Sequence, residues 1–245
     1  MKLSNLVKHV SHSSLELARN DLALWVARYA HKIFEPANAA MARGNAVELG
    51  LYHMHNGSEF DSPVEEAMKE YNKRTALGVD AESREREREM IEPMMEQYRA
   101  LWPETLPALS GYQNKIELEI EGLDVPCIGF TDFDLEDRVI DIKTTSRLPS
   151  AISASHRRQG AIYQRASANR AVEFIYLTPK KAARYVLEDS RQDWLEVVAT
   201  AQRLQNFIAA FDNVEALTAA VIPNYDTFYW SSPQTREAGR RLYGF

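Results

Sequence analysis

The chain has a single cysteine, Cys127, in 245 residues. A lone thiol excludes an intramolecular disulfide framework and a cysteine-ligated zinc or iron–sulfur centre. Long apolar runs are also missing. No stretch of about 18 hydrophobic residues occurs, which argues against a membrane span. The opening Met1-Lys-Leu-Ser-Asn-Leu-Val-Lys8 has no signal-peptide core, so a cytoplasmic protein is expected. There is no internal repeat and no low-complexity linker. Positive charge is in deficit: the net charge is −6, the wrong sign for indiscriminate binding of an acidic polymer. Hydrophobic residues make up 45% of the chain, enough for a sizeable core, and this excludes disorder. The length fits one domain over 1–245, mainly helical in 1–110, sheet-bearing in 111–190 and helical again in 191–245.

What charge there is lies unevenly. Between Arg138 and Arg170 stand seven basic residues (Arg138, Lys143, Arg147, Arg157, Arg158, Arg165, Arg170) and one acid, Asp141. That window carries +6 and leaves −12 for the rest. A basic stretch is what phosphate recognition requires, although a solvated helix face has the same composition.

Periodicity orders the elements. Ser13-Ser-Leu-Glu16 fits a capping box. After it Leu15, Ala18, Leu22, Trp25, Val26, Tyr29 and Ile33 predict one helix of about five turns, ended by Pro36. A second helix is expected over Ala39–Met54, a turn at His55–Ser58, and a third helix opening at Ser62 with Pro63 in its first position. Glu82–Glu89 reads as a solvated, charge-laced helix. From Tyr112 the period changes to two. A three-stranded meander is expected: Ile116–Ile120, Val125–Asp134 and Arg138–Lys143. Then come a helix over Ser153–Ala168, strands Val172–Leu177 and Ala182–Leu187, a helix over Arg191–Phe211, an aromatic cluster (Phe228, Tyr229, Trp230) and a last helix. This is an α+β or α/β order with an N-terminal helical addition.

Within that order sits Asp141-Ile-Lys143, nine residues after Asp132. Residues i and i+2 of a strand share a face, so Asp141 and Lys143 point one way and Ile140 and Ile142 the other. Two carboxylates and a backbone carbonyl, that of Ile142, suit a hard cation such as Mg²⁺. A lysine beside them suits charge developing on phosphorus. Gln159 and Tyr163 share a helix face at i and i+4. Upstream, Arg43-Gly-Asn-Ala-Val-Glu48 puts an acid among apolar neighbours, and Gly44 permits close backbone approach.

Taken together these pieces resemble the PD-(D/E)xK nuclease superfamily, in its RecB-like branch, which includes phage recombination exonucleases. The matching residues are Arg43, Gly44 and Glu48, then Gly129 and Asp132, then Asp141 and Lys143, then Gln159 and Tyr163. Ser11-His-Ser-Ser-Leu15 resembles the family's start. The resemblance implies a restriction-endonuclease-like core, a central mixed β-sheet flanked by helices. It implies a Mg²⁺-dependent deoxyribonuclease, with Mn²⁺ as a substitute, in a bacterial or phage-infected cell. Glu48, Asp132, Asp141 and the Ile142 carbonyl hold metal in that reading, and Lys143 orients the attacking water. Gln159, Tyr163, Arg147, Arg157 and Arg158 are the candidates for phosphate and DNA contact. An exonuclease on linear duplex ends, working in recombination or repair beside a single-strand annealing protein and able to form a homo-oligomer, is expected. A structure-selective or Holliday-junction endonuclease is the alternative within the class. A catalytically silent DNA-binding module is the alternative outside it.

Overall fold

The computed structural model describes residues 1–34, 38–57 and 60–244. The N-terminal half is helical: α1 (His12–Asn20), α2 (Leu22–Tyr29), α3 (Ala39–His55), α4 (Asp61–Arg74), α5 (Ala81–Arg88) and α6 (Ile91–Ala100). The strands follow: β1 (Gly111–Tyr112), β2 (Lys115–Leu118), β3 (Cys127–Phe130), β4 (Phe133–Asp134) and β5 (Arg138–Thr144). Helix α7 (Ala154–Ala166) crosses over to β6 (Ala171–Leu177), which turns into β7 (Ala182–Leu187). Helices α8 (Arg191–Ala209), α9 (Val214–Ala219) and α10 (Pro233–Tyr243) close the chain.

Five strands form one sheet in the order β1-β4-β5-β6-β7. Strands β5 and β6 run parallel, joined through α7, while the other pairs are antiparallel. The mixed α+β sheet flanked by helices is the expected architecture. Side-chain alternation divides its two faces between two cores. Val139, Val172, Phe174 and Tyr176 pack with α1, α2, α7 and α8 on one face. Ile140, Ile142, Ile175 and Leu177 pack with α3, α4 and α6 on the other.

Several expectations are corrected. The long first helix is two helices, broken at Asp21. Asp21 leaves the helical conformation, and its Oδ1 accepts from Leu24 N at 2.8 Å to cap α2. The capping residue of α1 is Ser11, not Ser13; its hydroxyl accepts from Ser14 N. Helix α4 opens before Ser62, so Pro63 is its third residue. Pro36 and Ser58 lie outside the described residues.

The predicted meander is split. Strands β2 and β3 form a separate two-stranded ribbon, and the chain leaves it at Thr131-Asp132 to enter the main sheet as β4. Asp132 is therefore a junction residue and not the end of a strand. The N-terminal segment covers the free edge of β3: Ile128 N donates to Val10 O at 2.8 Å, and Val10 N to Pro126 O at 2.9 Å. Such cover removes an open strand edge.

The aromatic cluster separates as well. Trp230 is fully buried and donates from Nε1 to Asp21 Oδ2 at 2.8 Å, whereas Phe228 is exposed. No helix among the described residues is long and apolar enough to cross a membrane.

Candidate active site

The site forms where β5 outruns its neighbour. Strand β4 has two residues and pairs only with Val139 and Ile140. Beyond Ile140 that edge of β5 has no strand partner. The Asp132 carboxylate takes the place of one: its Oδ2 accepts from Ile142 N at 2.7 Å. The N–H and C=O of one strand residue point to the same edge. The Ile142 carbonyl therefore faces the same gap. Two residues on, the next carbonyl on this edge, that of Thr144, is capped by Arg43 Nη2 at 3.3 Å.

Asp141 and Lys143 share the face that looks toward α7. Asp141 is 1% exposed. Its Oδ1 accepts from Gln159 Nε2 at 2.8 Å. Its Oδ2 lies 2.5 Å from Lys143 Nζ as an ion pair, yet no well-directed hydrogen bond reaches that oxygen. The Lys143 ammonium also lies 5.9 Å from the centre of the Phe174 ring. Ser153 caps α7, through His156 N at 3.2 Å, and so fixes the phase of this helix. Gln159 and Tyr163 then project together, and Gln159 Nε2 also donates to the Tyr163 hydroxyl at 2.7 Å. The hydroxyl donates in turn to Phe130 O at 2.7 Å.

Glu48 arrives from α3. Its Oε1 accepts from Gln113 Nε2 at 2.9 Å. Gln113 sits at φ +47° in the turn between β1 and β2, and its N–H donates to Asp132 O at 3.1 Å. Sequence reasoning missed Gln113. Its only signal is the Gln113-Asn114 break in the strand pattern, and the partner it holds is 65 positions away.

The electrostatics are those of crowded acids. Burial, then Asp141, then Glu48 push the Asp132 carboxyl well above the ordinary range, and Lys143 offsets only part of this. Glu48 is raised by burial first; Gln113 opposes this and Asp141 adds to it. Burial alone would lower Lys143, but Asp141, Asp132 and Glu48 more than compensate and hold it above its ordinary value. The three acids thus favour the ammonium form of Lys143. Around it, burial and the neighbouring Lys143 charge lower His156 to about 4.

The donor set fits a hard divalent ion: three mutually repelling carboxylates, a buried carboxylate oxygen without an aligned donor, and a free-edge carbonyl. The side chains are not a ready-made cage. In their present hydrogen bonds, no three His, Cys, Asp or Glu side chains among the described residues converge to hold a metal. What joins the acids is electrostatic coupling.

The arginines behave differently from the expectation. Arg158 is buried, with Nε 2.6 Å from Glu16 Oε1 and Nη1 3.0 Å from Glu196 Oε2. Arg157 is half-exposed and pairs with Asp193 at 2.7 Å. Arg138 and Arg170 are held by Asp137, Glu173 and Asp134, and Arg165 lies 5.6 Å from the Trp194 ring centre. The basic window is therefore largely cancelled in space by acids from outside it. Arg147 is exposed and has no acidic partner among the described residues. Arg43, from the Arg-Gly motif, is buried between Glu87 and Thr144. A Cβ on Gly44 would stand 3.3 Å from Thr144 Oγ1, so glycine lets α3 approach β5. Glu87 lies in the helix expected to be wholly solvated, and its burial corrects that reading.

Comparison with known proteins bears on the fold and the family. No curated protein matches the chain. Among solved structures, one named "Putative exonuclease" from Eubacterium rectale aligns over 91% of this chain and 87% of its own, with TM-score 0.57 and 12% identity. At that identity the likeness concerns the fold. A second, SSO0001, aligns over 80% and 88% of the two chains with TM-score 0.37 and 12% identity, too low to carry an argument. The family model of the PD-(D/E)XK nuclease superfamily matches residues 9–229, a span holding Glu48, Asp132, Asp141, Lys143, Gln159 and Tyr163. Nucleases of this kind generally use divalent metal ions. The chain belongs to the PD-(D/E)XK nuclease superfamily.

Proposed function

We propose that this protein is a Mg²⁺-dependent deoxyribonuclease, and within that class an exonuclease acting on linear double-stranded DNA ends. The observation that carries the reading is the gathering, around the free-edge Ile142 carbonyl, of Asp132 on Ile142 N, Asp141 paired with Lys143, and Glu48 tied through Gln113 to the Asp132 backbone. Buried acids arranged to repel one another have a use when a cation and a phosphate are to be bound there. Glu48, Asp132, Asp141 and the Ile142 carbonyl are the groups that hold the ion. A bound divalent ion supplies a water of lowered pKa and positive charge beside the departing oxygen.

The chain's own residues do the rest. Gln159 locks one oxygen of Asp141 and leaves the other turned to the site. Asp132 is fixed by Ile142 N. Lys143 orients the attacking water and balances the charge that builds on phosphorus. Arg147 contacts the DNA backbone, with Arg157 joining it when it releases Asp193. Arg158 we assign to the scaffold, because its charge is already spent on Glu16 and Glu196.

The exonuclease part draws on the name of the Eubacterium rectale protein. The recombination role, the annealing partner and a homo-oligomer belong to the same reading.

The test compares linear duplex with covalently closed circular DNA of the same sequence, with Mg²⁺, for wild type and Asp141→Asn. Wild type degrades the linear form and spares the circle, and the variant cleaves neither. Cutting of the circle would overturn the exonuclease assignment, and full activity in the variant would overturn the site.

A further inference from the structure

The hydrogen-bond chain that begins at Asp141 ends on a residue at the surface. It runs through Gln159 and the Tyr163 hydroxyl to the backbone carbonyl of Phe130. Tyr163 is 5% exposed, and Phe130 is 55% exposed. Single apolar residues on a surface are ordinary. Phe130 is set apart by its position and its rigidity.

Phe130 is the last residue of β3, two positions before Asp132. Past it Thr131 N donates to Asn114 O at 3.0 Å, and the chain bends at Asp132. Thr131 is buried, with its hydroxyl on Asp134 Oδ2 at 2.5 Å. With Thr131 turned inward, the exposed Phe130 ring stands two residues from Asp132, just before the bend that brings that carboxylate to Ile142 N.

The backbone beneath is fixed. A Cβ on Gly129 would stand 3.3 Å from the Ile116 side chain and 3.5 Å from the Tyr163 ring, so the strand lies tight against α7. Lys115 is directly opposite Phe130 in the ribbon. Among the described residues its ammonium is tied only to Glu117, at 2.6 Å, and both side chains are about half exposed. A surface pair of that kind is weak and easily exchanged. Two residues before Lys115, Gln113 joins Glu48 and Asp132. An aromatic face and a lysine thus lie on the ribbon that is hydrogen-bonded, at Phe130 O and through the Gln113 turn, into the network of the acids.

We propose that the Phe130 ring is a stacking platform for the nucleobase next to the scissile phosphate, with Lys115 contacting the adjoining backbone phosphate. The inference rests on the nuclease reading and adds to it a direct contact with a base. Stacking on an aromatic ring is tolerant of sequence, because every base has a π-face. Its purpose here is positional. A base pinned on Phe130 sets the register of the strand relative to Asp132 and Asp141, through a backbone that Tyr163 fastens to the same network.

The test is a cycle between ring and base. Phe130→Ala and Phe130→Trp are compared with wild type on oligonucleotides carrying one abasic site, moved position by position around the cleavage point. Cleavage is followed with Mg²⁺, and binding is followed by anisotropy of a labelled strand with Ca²⁺ in its place. Phe130→Ala is expected to raise KM about tenfold on intact DNA, from the usual worth of one stacked base. Phe130→Trp restores wild-type KM, and its fluorescence is quenched by the bound strand. At one abasic position the wild type loses the same factor and Phe130→Ala loses nothing more. Folding of both variants is checked by circular dichroism.

The proposal is overturned if Phe130→Ala stays within about twofold of wild type, or if ring loss and base loss add independently at every position. The two readings fail separately. Ring–base coupling in binding without cleavage by wild type sinks the nuclease reading alone. Cleavage without coupling sinks the platform alone.

Discussion

Two groups of buried charges in this molecule use the same residue types to opposite effect. In the scaffold, buried acids such as Glu173 and Glu87 meet cations of their own. Glu173, 1% exposed, is held by Arg138 and Arg184. Glu16 shares Arg158 with Glu196, and Glu87 meets Arg43. At the candidate site three carboxylates share one lysine. The consequence is visible in the acids themselves. Burial alone would raise Glu16, but the Arg158 hydrogen bonds and charge outweigh it, and Glu16 ends below its ordinary value. Asp132 and Glu48 end above theirs. Pairing makes a scaffold, and withheld pairing makes a binding site for positive charge.

Three substitutions break or sharpen this contrast. The largest effect is expected from Asp132→Asn. Cleavage falls by about a thousandfold or more, as the ligand proposed for the catalytic ion is lost. Stability of the metal-free protein moves the other way, up by about 1 kcal/mol, because a repelled carboxylate becomes a neutral acceptor that still meets Ile142 N. Divalent ions should raise the melting point of wild type and not of this variant. Urea melts with and without Mg²⁺, beside a nuclease assay, decide the matter; a destabilised Asp132→Asn would show that the acids are not in conflict.

The same change of acid to amide at Glu173 has the opposite sign. Glu173→Gln leaves two arginines facing a neutral group on the sheet and costs about 3 kcal/mol in a denaturant titration, with kcat little changed. An unaltered midpoint would remove Glu173 from the scaffold.

The smallest effect concerns pH. Glu16 has a folded pKa below its ordinary value of 4.5. Its contribution to stability is complete above that value and is lost as pH falls below it toward the depressed folded value. Arg158→Met should flatten that part of the acid limb of a stability–pH curve by up to about 1 kcal/mol. A limb identical to wild type would mean that Arg158 does not set the Glu16 equilibrium.

Much of this was legible beforehand, for identifiable reasons. The alternation around Ile140-Asp-Ile-Lys143 gave the correct faces, because strand period is a local property of the backbone. The i, i+4 spacing of Gln159 and Tyr163 gave their contact for the same reason. The boundaries of β6 and β7 followed from runs of β-branched and aromatic residues. Asp21 could not be read as a break, since its partners Leu24 N and Trp230 include one 209 positions away. The basic window looked like a phosphate-binding surface because the acids that neutralise it lie elsewhere in the chain.

The sequence alone settled which residues share a face, the order of most helices and strands, and that an acid, an acid and a lysine stand in the order the PD-(D/E)XK family carries. Those are consequences of backbone geometry over a few residues. Only the tertiary structure decided that β4 stops short of Asp141, that Asp132 and the Ile142 carbonyl meet in the space this leaves, and that most of the arginines are already neutralised. These depend on which distant segments come into contact, and Coulomb energy between buried charges is set by their separation in space, whatever their separation along the chain.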